Sequence, residues 1–366
     1  MNRSTMLLLM LWMSFFTGSV QAKMTVINDV LGRKVEVDLP AQKVVLGFYA
    51  EDYMAIGTEN AFDKVVGISR DTWKTWRPAN WSLYTNYRPS LKDIPDVGEV
   101  EAQTFSIEKV ISLKPNVILL ADWQYKSLGT DISRLTNANI PIVVVDYNAQ
   151  TLDRHIKSTK IIGQLTGQNE RARKIADEYK LAIENTLQRI KEANLVKPRT
   201  YVEYGNKGPG KFSFTYGKNM WGAVVTMLGG NNIATPFVEW WGTMSPEQVL
   251  ESNPEVIFIS GTESGVKGDA MAMGQGIDRK LAESRLKGFT KRASWEQMPA
   301  IKNQRVYGIY HGAARTILGA PMVRFIAKSM YPNLFEDINP EQEYLDFYKQ
   351  YLPVTPTGTF TAQVAK

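Results

Sequence analysis

Residues 70–81 read Arg-Asp-Thr-Trp-Lys-Thr-Trp-Arg-Pro-Ala-Asn-Trp, and Tyr84, Tyr87 and Arg88 follow. Rings interleaved with cations, without the period of a buried helix or strand, suit a large, flat, anionic ligand. Rings stack on its apolar parts, and Arg or Lys neutralises carboxylate or catecholate oxygens. Arg70, Trp73, Trp76 and Arg77 are the candidate contacts from this segment. Tyr49 and Tyr53 follow the apolar run Val44–Gly47, and Trp123 with Tyr125 follow Val117–Ala121. From the second half come Lys211, Phe214, Tyr216, Trp240 and Trp241, with His311 and Arg315 after the run Val306–Tyr310. The alternative for each is ordinary: a core ring or a solvated cation.

Much other chemistry is excluded. The 366 residues contain no cysteine and two histidines, His155 and His311. Disulfides, iron–sulfur clusters, thiolate nucleophiles and a His-rich zinc or manganese site therefore fall away. No G-x-S-x-G elbow or H-E-x-x-H helix occurs, although a carboxylate pair formed in space stays open. The formal charge of +6 is modest and not gathered in a basic run, so nucleic acid is not the expected partner. That surplus is expected in the ligand cleft. His311 reads either as a hydrogen-bonded structural residue or as a group facing the ligand.

Elements must bring these residues together. Residues 1–22 read as a cleavable export signal: Arg3, an apolar run from Met6 to Phe16, then Val20 and Ala22 at small-residue positions. With no cysteine after it to carry a lipid, the mature chain is expected to be released free. Met24–Asn28 and Lys34–Asp38 alternate as a hairpin. Runs at 44–47, 65–68, 117–121 and 142–146 predict a largely parallel sheet for an N-terminal lobe, 23–150. Residues 151–196 lack proline and carry Ile175, Tyr179, Ile183, Leu187 and Ile190 on one stripe, predicting a long helix near 169–194 after breaks at Gly163 and Gly167. The second lobe, 197–366, opens with strands at 200–204 and 256–260.

One unit occurs twice. Residues 106–118, Ser-Ile-Glu-Lys-Val-Ile-Ser-Leu-Lys-Pro-Asn-Val-Ile, align without a gap to residues 245–257, Ser-Pro-Glu-Gln-Val-Leu-Glu-Ser-Asn-Pro-Glu-Val-Ile. Each copy reads as a capping serine, a short helix, a proline exit and a buried strand. With Asp29–Val35, Val97-Gly98, Leu228–Ala234 and Pro299–Tyr307, the sequence resembles the periplasmic substrate-binding proteins of ABC importers for ferric siderophores, haem and cobalamin.

The resemblance implies an α/β fold of two Rossmann-like lobes joined by a backbone helix, with the ligand between them. It implies a receptor rather than an enzyme, without a cofactor or metal site of its own: a monomer that captures a ferric siderophore, an anionic iron chelate. Glu108 and Glu247, one per repeat, would dock on an inner-membrane ABC permease; the alternative is helix capping, where a first-turn carboxylate contributes about 0.3–1 kcal/mol. Haem stays open, with Tyr49, Tyr53 or His311 as axial ligand, as do molybdate or tungstate and, more remotely, a secreted hydrolase.

Overall fold

The computed structural model describes residues 23–364; the expected export signal, 1–22, lies outside them. The strands Lys23–Asn28 and Lys34–Leu39 pair antiparallel, Asn28 against Lys34. Their turn is closed by Asp29, whose carboxylate accepts from the backbone amides of Leu31 and Arg33 and from the Arg33 guanidinium. Asp29 also accepts from Val144 N, and Arg33 donates to Ile142 O, so the hairpin covers the edge of the first lobe's sheet.

That sheet runs Val65–Ile68, Val44–Leu46, Val117–Ala121, Ile142–Val145, with every pair parallel. Val117–Ala121 and Ile142–Val145 are buried throughout, as their unbroken apolar runs require between two helical layers. In the second lobe Arg199–Tyr204, Val256–Gly261 and Val306–Tyr310 form a parallel centre. Phe214–Tyr216, Trp241–Thr243 and Thr361–Gln363 add antiparallel flanks that the sequence reading did not include. The two lobes thus share a parallel heart and differ at the edges.

The repeat is real in space. Ser106 Oγ accepts from Lys109 N and Ser245 Oγ from Gln248 N, each at 3.2 Å, starting the helices Ile107–Leu113 and Pro246–Ser252. Each helix ends on a left-handed residue, Lys114 or Asn253. Even the strand entry repeats: Asn116 N donates to Lys43 O, and Glu255 N to Arg199 O.

Between the lobes lie the helices Leu152–Thr166 and Asn169–Ala193. Gly167 separates them at φ 74°, a conformation glycine adopts without penalty. Gly163 does not break the chain, contrary to the expectation. It sits inside the first helix, where a Cβ would lie 2.3 Å from that of Ala172, so it lets the two helices pack closely. Arg171, on the long helix, donates to Ala55 O of the first lobe and Tyr351 O of the second, tying both to the same strut.

Candidate functional site

A cavity of about 1060 Å³ opens between the lobes, at the carboxyl ends of their parallel strands. Tyr49, Trp73, Trp76, Arg77, Trp123, Phe214, Trp240, Trp241, His311 and Arg315 all line it. The other five candidates do not. Tyr53 is 1% exposed and packs on Phe62 in the core. Arg70 turns back to donate to Ile94 O. Tyr125 lies beneath the Arg33 guanidinium, 4.1 Å away. Lys211 is solvent-exposed and offers its carbonyl to Arg292. Tyr216 is buried behind His311 and reaches the cleft only through it.

The first lobe builds its wall from polar pairs. The helix Ala50–Gly57 begins after Tyr49, held at φ 58° where a bulky residue is strained. The Tyr49 hydroxyl accepts from Tyr147 N, and its ring meets Phe48 and Tyr147 edge-on. Next come Glu51 and Asp52, which sequence reasoning missed. Burial would push the Glu51 carboxyl up, but the Arg77 guanidinium, Asn80 and Tyr348 together hold it below its usual value. Asp52 accepts from Thr316 Oγ1 and Ile317 N, both at 2.7 Å, across the lobe boundary. Burial outweighs those two donors and pushes Asp52 up to about 7. Further along, Asp122 takes Lys126 at 2.8 Å and Arg154 at 3.6 Å, while Asp146 takes Arg154 at 2.7 Å. Trp73 is mostly core, 2% exposed against Trp81 and Tyr84.

The second lobe supplies rings. Phe214 and Trp241 pack with ring centres 4.4 Å apart, tilted by 31°, on the antiparallel strand pair that sets Trp241 against Tyr216, and Trp240 and Trp241 stay 56% and 45% exposed at the rim. The His311 imidazole stacks on Tyr204 at 4.4 Å. Burial, with Arg315 and Arg77 nearby, pushes His311 down to about 3, so the imidazole is neutral at ordinary pH. Its Nδ1 lies 3.1 Å from the Tyr216 hydroxyl, which is also 3.1 Å from Ser260 Oγ. If Tyr216 donates to Nδ1, Nε2 carries the proton; if it accepts, Nε2 is a free lone pair.

Arg315 crosses the cleft into the first lobe. Its guanidinium carbon lies 4.7 Å from the Phe48 ring and 5.7 Å from both Trp76 and Trp123. It has no carboxylate or carbonyl partner among the described residues. Burial pulls its affinity for a proton below the usual arginine value. The expected positive surplus is not in the cleft: Arg77, Lys126, Arg154 and Arg315 face five carboxylates, Glu51, Asp52, Glu101, Asp122 and Asp146. Among the described residues, no group of three or more His, Asp or Glu is placed to hold a metal ion.

Glu108 and Glu247 lie away from the cleft, exposed on the first turns of the repeat helices. The serines already cap both helices. Glu108 pairs with Arg134, whereas Glu247 has no ion pair among the described residues.

Residues 45–311 match the family described as periplasmic binding protein, and the chain belongs to it. A TroA-like periplasmic binding protein, FepB, from Veillonella parvula superposes with a TM-score of 0.87 and 31% identity, covering 93% of this chain and 99% of that one. An ABC transporter substrate-binding lipoprotein, YvrC, of Bacillus subtilis is 24% identical over 85% of this chain and 87% of its own length. The vitamin B12-binding protein of Pectobacterium atrosepticum is 26% identical, matching 50% of this chain and 64% of that protein. At 18% identity, the molybdate-binding MolA of Haemophilus influenzae shares the fold, with a TM-score of 0.67.

Proposed function

We propose that this periplasmic binding protein captures a ferric siderophore between its lobes and delivers it to an inner-membrane ABC permease. The observation that carries this reading is the cleft: about 1060 Å³, faced with rings from both lobes. Pockets that enclose a drug-sized ligand run about 300–1,000 Å³, so this one suits a bulky chelate. A tetrahedral oxyanion would leave most of it empty. No bond is made or broken. The iron arrives already wrapped, and the protein contributes stacking surface, one unpaired cation and exclusion of water.

Haem is the second reading, favoured by His311. Tyr53 is core and the Tyr49 hydroxyl is engaged by Tyr147, which leaves His311 as the candidate axial ligand facing the cleft.

Delivery would use Glu108 and Glu247, one exposed carboxylate per lobe, spaced so that a permease senses both lobes at once. Residues 1–22 would direct the chain to the periplasm and be removed, leaving an unlipidated monomer. Intrinsic tryptophan fluorescence tests the ligand: ferric trihydroxamate and tris-catecholate complexes, haem, vitamin B12 and molybdate are titrated into the mature protein. Saturable quenching by a ferric chelate at one equivalent is expected. Quenching by molybdate with no response to any chelate would overturn the reading. The Glu108→Ala/Glu247→Ala double variant should abolish uptake in cells while purified protein keeps its ligand affinity; lost affinity would refute the docking role.

A further inference from the structure

The charge of the ligand is written in the cleft. Four cations line it, and three are already matched: Arg77 by Glu51, Lys126 by Asp122, Arg154 by Asp146 and Asp122. Each pair keeps its cation close to neutral as a ligand would feel it. Among the described lining residues only Arg315 has no ion-pair partner; Glu101 attracts it from farther away, and it stands among Phe48, Trp76 and Trp123. Lys207 sits at the rim, 5.4 Å over the Phe214 ring, outside the lining. Anionic charge beyond what Arg315 can meet would enter a partly desolvated space bordered by carboxylates, where an uncompensated charge is unfavourable.

Resting on the siderophore reading above, we propose that the cleft selects a chelate of zero or one net negative charge and discriminates against highly anionic chelates. In chemical terms this means hydroxamate-rich ferric complexes over tris-catecholate ones. It departs from the expectation of a cation-lined cleft.

Calorimetric titration of the mature protein with three ferric complexes of similar size tests this: a neutral trihydroxamate, a monoanionic bis-hydroxamate monocatecholate, and a trianionic tris-catecholate. The neutral and monoanionic complexes should bind at least about 100-fold more tightly than the trianionic one. The preferred complexes should show little change in affinity between low and high salt. In Asp122→Asn, which unmasks Lys126, the discrimination against the trianionic complex should shrink by about tenfold. Arg315→Met should lower the affinity for the monoanionic complex relative to the neutral one by about tenfold. Equal or tighter binding of the trianionic complex overturns the charge rule and leaves the siderophore reading standing. No binding by any of the three overturns the siderophore reading, and the charge rule falls with it.

Discussion

On the first lobe's side of the cleft, every cation has a carboxylate within reach: Arg77 with Glu51, Arg154 with Asp146, Lys126 with Asp122. On the second lobe's side, Arg315 has no ion-pair partner among the described residues, Glu101 acting on it only through space, and it is caged by the rings of Phe48, Trp76 and Trp123; the wall around it mixes the rings of Tyr204, Phe214, Trp240 and Trp241 with small polar side chains. Two lobes built on one repeated unit have therefore diverged in what they offer. Charge on the first wall holds the protein together. On the second, one cation and several rings are left free for a ligand. An arginine's presence in a cleft says little until its partner is known, because a paired guanidinium resists removal and an unpaired one attracts anions.

Substitutions can break or sharpen that contrast. The largest effect is expected at Arg77→Ala, which strands Glu51 in the lobe interface with only Asn80 and Tyr348. A buried carboxylate stripped of its ion partner costs about 3–5 kcal/mol, readable as a lower urea midpoint. A loss below about 1 kcal/mol would mean the first wall is not held by its pairs.

Asp52 gives the next largest effect, and it depends on pH. Its folded-state value, raised to about 7 from 3.8, means the folded protein keeps a proton that the unfolded chain has released. This contribution to stability is complete below about pH 4 and is lost as pH rises to about 7. Asp52→Asn escapes that loss, so its advantage over wild type should grow across this window by up to about 4 kcal/mol and then level off. His155 and His311, pushed down to about 4 and about 3, act in the opposite direction, losing stability as pH falls below their unfolded value of 6.5. Both proteins share them, so they cancel in the difference. A gap that does not change with pH would contradict the assignment.

Trp241→Ala against Trp73→Ala compares the walls ring for ring. Trp241 is 45% exposed and should weaken ligand binding by about 10- to 100-fold with little change in stability. Trp73 is 2% exposed, and its truncation should cost about 3–5 kcal/mol of stability. Similar behaviour of the two would erase the distinction. The smallest effect is expected outside the cleft. If the two carboxylates dock on a permease as proposed, Glu108 has to leave Arg134 first, so Glu247→Ala should reduce uptake more than Glu108→Ala, by about two- to fivefold.

The sequence foretold the strands because parallel strands covered on both faces need unbroken apolar runs such as Val117-Ile-Leu-Leu-Ala121. The repeat was equally legible, since its capping serines and proline exits act locally. Gly163 was misread because a tight helix contact and a helix break favour the same residue. Short antiparallel edges such as Phe214–Tyr216 carry too few residues to show a period. In the cleft, loops after strand ends pointed to Trp76, Trp123, Trp241 and Arg315, yet Arg70 and Tyr125 occupy equivalent loops and turn away to Ile94 and Arg33. Direction at a loop is decided by neighbours distant in sequence. So is the pairing of Arg77 with Glu51, which lie 26 residues apart, and this is why the cleft looked more cationic than it is.

A crystal structure of the loaded mature protein would show whether both walls together hold one large chelate of low charge. A ferric complex should fill the cleft, its rings or methylene edges against Trp123 and Trp241 and its anionic edge on Arg315. A small oxyanion bound to His311 and Arg315 in an otherwise solvent-filled cleft, or a ligand seated outside it, would contradict the account.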